Sequence, residues 1–360
     1  MAACGRWCAT AVLVTAVLGV ASCTSDVPDA DPGVSPARRS AAPPAAVAPS
    51  PGPSPSMSPS TGPEVVPTGP TAPPVPRRMS LQRLMFQQYD GGRLRVLRQV
   101  DLGSYTRREV GYRSAGLTVT GVLHVPDGRG PFPALVLAHG YIDPGVYVTG
   151  QGLAREQDYL ARAGFVVLHV DYRGHAGSDP GRPVDRETRL GYTEDVVNAV
   201  RTLRRQPYVD PHRVGLLGRS MGGGVVYNAL VARPRLVDAA VVYAPVSSRF
   251  LDNFDRWTRP ERPDVAAAFT RRFGSRTQNP AFYRDLSPRT FFDRVRVPVL
   301  MHHGTADGSC PLRWSRSTLR ALTRTGNQAR LVVYPGEPHA FVAAWERSMR
   351  ITVRFLRRHL

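Results

Sequence analysis

The 360-residue chain contains no lysine: all 47 of its basic residues are arginine. Against 28 acids they leave a formal charge of +19. Wholesale use of one cation reads as a coding bias spread over the surface rather than as a site. A basic excess of this size suits nucleic acid, but no nucleic-acid-binding motif accompanies it, and no such partner is expected. Cysteine is scarce, with Cys4, Cys8, Cys23 and Cys310 only. Three of the four fall within the first 23 residues, which excludes a disulfide framework in the rest of the chain. Cys310 then reads as a buried structural thiol. No group of His, Cys and carboxylates has metal-ligand spacing, so neither a metal nor another cofactor is expected. Large apolar residues are few in 23–78, a Pro-, Ala-, Ser-, Thr- and Gly-rich stretch holding 16 of the 34 prolines. Such a segment cannot bury enough surface to offset its ordering entropy. It is expected to be a disordered tether, rising about 3.1 Å per residue where polyproline II forms.

Residues 1–22 have the layout of a secretory signal peptide: Arg6, an apolar run from Ala9, and small residues at its end. The run is shorter than the about 20 apolar residues that span a bilayer. Val20-Ala21-Ser22-Cys23 resembles the bacterial lipobox, in which the cysteine becomes the lipid-modified first residue of the mature protein. The expectation is a lipoprotein held at the membrane outside the cytoplasm, or secreted if Cys23 is not lipidated.

Order is expected over 79–360 as one catalytic domain. Thr106–Tyr112 and Leu117–Val125 flank Ser114-Ala115-Gly116 and predict an antiparallel hairpin. Apolar strand runs then alternate with helical patterns. The strands are Ala134–Ala138, Phe165–Val170, Val214–Leu217, Ala239–Tyr243, Val297–His302 and Arg330–Tyr334. The helices fall near Gly152–Ala163, Thr193–Arg205, Met221–Ala232, Leu312–Thr325 and Ala340–Arg358. Continuous apolar strands alternating with helices predict an α/β fold, a mostly parallel, doubly wound sheet covered on both faces. The stretch 247–293 breaks the alternation and is rich in Phe, with Trp257 and Tyr283 among them. It reads as a small helical cap over the carboxyl edge of the sheet, where ligands bind in open α/β folds, lining the pocket with aromatic rings.

Gly218-Arg219-Ser220-Met221-Gly222 fits G-x-S-x-G. The pattern alone is weak, but a short apolar strand precedes it and a helix follows. That strand–turn–helix puts Ser220 in a tight turn with its hydroxyl exposed, and the flanking glycines relieve crowding. A serine hydroxyl needs a base to take its proton. Asp307 and His339 each follow a later strand, so both belong at the same carboxyl edge, in the chain order Ser, Asp, His. His339 would act as base and acid, and Asp307 would hold its tautomer. The amides of Met221 and Tyr141 are the candidate oxyanion donors. Glu337 is a second, less well placed acid. His139 and His303, each before a glycine at a strand end, read as turn-structuring; His175 orders a loop, and His302 is a strand residue.

The chain is similar to the prolyl oligopeptidase-like branch of the α/β-hydrolases and to related secreted bacterial esterases. The matching blocks are Ala138-His139-Gly140, Asp171-Tyr172-Arg173-Gly174, Tyr208–Gly215, Gly218–Gly223, Ser287-Pro288, Pro298-Val299-Leu300, His303–Asp307 and Tyr334–His339. They run in order over about 105–360. The resemblance implies an α/β-hydrolase fold with Ser220 as nucleophile, Asp307 as acid and His339 as base. Two departures stand out: 79–104 is too short for the β-propeller of the family's oligopeptidases, and Tyr141-Ile142-Asp143-Pro144 replaces the Gly-Gly-Pro-like turn after His139-Gly140. The expected activity is acyl-enzyme hydrolysis of an ester, small amide or short peptide. Two alternatives stand beside it, a dedicated short-peptide peptidase and a lipid-anchored protein that uses the fold only to bind a ligand or partner.

Overall fold

Period-two burial along the strands builds the core. In the strand Phe132–Ala138, Ala134, Val136 and Ala138 pack into one cluster, while Leu135 and Leu137 pack into another. Successive side chains of a strand point to opposite faces, so these two clusters are the two faces of one sheet. The computed structural model describes residues 79–360. The expected signal peptide, the lipidation site Cys23 and the tether lie outside the described residues.

The sheet has nine strands: β1 (Arg95–Asp101), β2 (Tyr105–Ser114), β3 (Leu117–Pro126), β4 (Phe132–Ala138), β5 (Val166–Val170), β6 (Val209–Arg219), β7 (Ala239–Tyr243), β8 (Val299–Gly304) and β9 (Ala329–Tyr334). Their spatial order is β1-β2-β3-β5-β4-β6-β7-β8-β9. The first three are antiparallel to their neighbours, and the remaining pairings are parallel. Helices 190–203 and 221–232 cover one face, and helices 154–162 and 345–359 the other. This is the doubly wound arrangement expected.

Three local readings differ. β1 is absent from the sequence reading because every one of its residues is exposed, so no burial pattern marks it. The six-residue helix Leu81–Phe86 is too short for periodicity to reveal; the Ser80 hydroxyl caps it by accepting from Arg83 N at 3.0 Å. The last helix begins at Trp345 rather than Ala340. The Glu337 carboxylate accepts from Val342 N at 2.6 Å and Ala344 N at 2.8 Å, which holds 340–344 in a turn and leaves Val342 exposed.

Between β7 and β8 the chain is helical, with its longest helix at Pro263–Phe273 and a shorter one at Pro280–Asp285. Its aromatic residues mostly pack on one another. Phe273 lies 4.7 Å from both Phe269 and Phe282, centroid to centroid. Phe250, Phe269, Phe273, Phe282 and Tyr283 are all buried within the larger core. The aromatic richness of this segment therefore builds a core more than it lines a pocket.

Candidate active site

The turn after β6 carries Ser220 at φ +55°, ψ −119°, a conformation disfavoured for any residue but glycine. It is held there by its neighbours. Ser220 N donates to Tyr243 O at 2.9 Å, and Ser220 O accepts from Gly223 N and Val246 N at 3.0 and 3.1 Å. The glycines around it are steric necessities. A Cβ on Gly222 would stand 1.9 Å from Ala138 O, and one on Gly218 would stand 2.4 Å from Gly222 O. Helix Met221–Ala232 starts immediately after Ser220 and directs its N-terminal positive potential at this point.

His339 and Asp307 come from the loops after β9 and β8. His339 Nδ1 lies 2.8 Å from Asp307 Oδ2. The Asp307 side chain is fully buried, whereas His339 is a quarter exposed. Burial by itself would raise the Asp307 carboxyl, but hydrogen bonds from His303, His339 and Cys310 N overcome it and hold the group well below the usual carboxylate range. Asp307 Oδ1 accepts from Ser309 N and Cys310 N at 2.9 and 2.8 Å. Asp307 is thus an anion fixed by donors on both oxygens. Glu337, the rival acid, spends its carboxylate on the 342–344 turn.

Ser220 and His339 line one cavity of about 510 Å³, together with Gly140, Tyr141, Met221 and residues of the helical segment over the sheet edge. That is within the usual range for small-molecule sites. Tyr141 and Met221 are both in its wall, and the two amides have no acceptor among the described residues. The loop carrying Tyr141 is pressed against the serine: a Cβ on Gly140 would stand 3.2 Å from Ser220 Cβ. His139 fixes that loop from below. Its ring is fully buried, stacks on Tyr147 at 4.8 Å, and approaches the Gly140 carbonyl at 2.6 Å. From the helical segment only Phe254 and Trp257 add aromatic rings to the cavity, and four arginines stand among its other lining residues.

Two residues were undervalued in the sequence. His303 does more than shape a turn: its Nε2 faces Cys310 O at 2.8 Å and Asp307 Oδ2 at 3.2 Å, and its Nδ1 faces Ser315 Oγ at 2.7 Å. Two acceptors at Nε2 require the proton there. The pairing of His303 with Asp307 four residues on was the available signal. Cys310 is buried as expected, yet its Sγ lies 4.0 Å from Ser220 Oγ. Burial pushes its thiol up to about 12, so it stands beside the serine as a neutral group. In addition, Arg256 Nε and Nη2 donate to Ser309 O and Gly308 O, each at 2.6 Å, and clamp the Asp307 loop from above.

Comparison with known proteins places this geometry in a family. Residues 152–360 match the model of the prolyl oligopeptidase family. The chain is 27% identical over 236 residues to the uncharacterized peptidase YuxL of Bacillus subtilis, covering 62% of this chain and 34% of that protein. It is also 27% identical over 244 residues to the acylamino-acid-releasing enzyme of Rattus norvegicus, covering 65% of this chain and 32% of the relative. The chain therefore spans about a third of the length of these relatives. The acetyl xylan esterase from Paenibacillus sp. R4 shares the fold, with a TM-score of 0.58 at 22% identity, covering 78% of this chain and 92% of that one. The α/β-hydrolase architecture read from the sequence is the observed one, and the chain belongs to the prolyl oligopeptidase family of serine hydrolases.

Proposed function

We propose that the protein cleaves carboxylic esters or small amide and peptide bonds through an acyl-enzyme on Ser220. The observation that carries this reading is one cavity holding a strained serine and a histidine bonded to a buried carboxylate at 2.8 Å. Ser220 Oγ attacks the carbonyl carbon while His339 takes the hydroxyl proton on its free ring nitrogen. The developing oxyanion accepts from Met221 N–H and Tyr141 N–H; one such donor is worth about 2.7–4 kcal/mol in the barrier. The tetrahedral species expels the alcohol or amine, which leaves with the proton from His339. Water, activated by the same imidazole, then releases the acid and restores Ser220. Asp307 holds the ring and stabilises the imidazolium.

Both bond types occur in the names of similar proteins, one an acylamino-acid-releasing enzyme and one an acetyl xylan esterase. A peptidase on short peptides is the second reading, favoured by the family and by the two curated relatives. A fluorophosphonate is expected to label the protein, and Ser220→Ala to abolish labelling. A folded wild-type protein that takes no label would overturn the proposal. Turnover of aryl esters beside aminoacyl amides decides between the two bond types.

We further propose that the enzyme works outside the cytoplasm, tethered to the membrane through a lipid on Cys23. The support is the signal-peptide layout, the lipobox-like Val20–Cys23 and the proline-rich spacer after it. Among the described residues no helix is long and apolar enough to cross a membrane. Cys23→Ala is expected to move the protein from the membrane to the soluble fraction; unchanged fractionation would refute the anchor.

A further inference from the structure

Four arginines line the cavity beside Ser220: Arg186, Arg189, Arg219 and Arg262. Three are engaged. Arg262 pairs with Glu187, Arg219 pairs with Glu156, and the Arg186 guanidinium lies 4.6 Å from the centre of the Tyr141 ring. Arg189 stands apart. Among the described residues its guanidinium has no hydrogen-bond or ion-pair partner, and its Nε is shielded from solvent. Glu187, the acid nearest to it in sequence, is taken by Arg262.

The fold has made a place for this side chain. Its backbone is held at φ +59°, and its carbonyl accepts from Thr193 N at 2.9 Å. Nη1 abuts the first turn of the helix that begins after Ser220, since a Cβ on Gly224 would stand 3.7 Å from it. A Cβ there would also stand 2.6 Å from Val246 Cγ2, and Val246 is itself in the cavity wall. Burial pushes the guanidinium down to about 10, so it remains a cation at neutral pH. Arg189 is only partly buried in the cavity wall, so its cation keeps some access to water, and a ligand anion would supply the partner that the protein withholds.

Resting on the hydrolase reading, we propose that Arg189 is a specificity-determining residue that binds a carboxylate on the substrate. A guanidinium presents a planar fork that matches a carboxylate bidentately. The carboxylate belongs either to the acyl part or to the leaving group, where a free peptide C-terminus would be its natural form. Hydrogen bonds to charged groups are worth about ten- to a hundredfold in binding.

Two pairs of chromogenic or ultraviolet-absorbing esters separate the sources. The acyl-side pair is 4-nitrophenyl hemiglutarate and its methyl ester; the leaving-side pair is 4-carboxyphenyl butyrate and 4-carbamoylphenyl butyrate. In one pair the wild type is expected to favour the carboxylate member by about tenfold or more in kcat/KM. Arg189→Met should bring that ratio close to one, and Arg189→Lys, which keeps the charge but not the fork, should leave it intermediate. A wild-type ratio near one in both pairs overturns the proposal. So does loss of both members in equal proportion in either variant, which also covers an Arg189→Met protein that fails to fold. Failure of all four esters would count against the hydrolase reading instead, and binding is then read without turnover. In that case 4-phenylbutyrate, but not 4-phenylbutyramide, should raise the thermal midpoint of the wild type, and that of Arg189→Lys by less; no rise with the wild type overturns the proposal.

Discussion

His303 is the most informative residue to perturb, because it touches the candidate machinery only through Asp307. Its Nε2–H is shared between Cys310 O at 2.8 Å and Asp307 Oδ2 at 3.2 Å, so His303→Ala removes one of four donors to a fully buried carboxylate. A hydrogen bond to a charged group contributes about 1.5–3 kcal/mol. The 3.2 Å contact is shared and long, which argues for the lower half of that range. If the lost energy appears in the orientation of His339, kcat/KM falls about tenfold, with KM little changed. A second consequence follows from linkage. The Asp307 carboxyl is held below its ordinary range by His303 among others. Its contribution to stability is therefore present above the unfolded carboxyl range and is lost as pH falls through the lower, folded value. Removing His303 raises the folded value, so acid inactivation should begin at a higher pH than in the wild type. His303→Gln, which can still donate toward Asp307, should recover part of both effects. The assay is ester hydrolysis across a pH series with residual activity measured after return to neutral pH. An Ala variant with wild-type kcat/KM and an unshifted acid midpoint would refute the reasoning.

Three further outcomes are expected. Gly222→Ala places a Cβ 1.9 Å from Ala138 O, a backbone atom that cannot swing away, so the elbow must distort; soluble yield or fluorophosphonate labelling should collapse. His302 is fully buried, with its nitrogens against Tyr334 Oη and Thr352 Oγ1, and burial holds its imidazole down to about 3 from 6.5. The folded state keeps it neutral while the unfolded chain takes a proton, so stability falls as pH drops below about 6.5, by about 1.4 kcal/mol per pH unit. His302→Gln, which does not titrate, should flatten the dependence of the urea midpoint on pH by that amount. Phe282→Ala opens the ring cluster of the helical segment, where Phe282 is fully buried against Phe269 and Phe273. It should cost about 3–5 kcal/mol in denaturant unfolding.

Much of the architecture was written into the chain. The sheet strands announced themselves because each inner strand buries both faces, and only an apolar run can do that. The order Ser220, Asp307, His339 was legible because each residue follows a strand, and strands running parallel deliver their following loops to one edge. Edge and loop features left no such mark. β1 is wholly exposed and carries no burial pattern, and the start of the last helix is displaced by a carboxylate, Glu337, that reaches forward to two amides.

What the sequence by itself determined, then, was the layered fold and the three residues gathered at the sheet edge, since both follow from local periodicity and chain order. Only the tertiary structure decided how their neighbours act. It turned the aromatic residues of 247–293 mainly into a packed core, because rings spaced at helical intervals bury one another before they reach a cavity. It bound His303 to Asp307, and it paired Arg262 with Glu187 while leaving Arg189, in the cavity wall it shares with Ser220, without a hydrogen-bond or ion-pair partner among the described residues. Whether a charge is satisfied depends on residues far away in the chain, and no spacing rule records which of 47 arginines will be left facing a cavity.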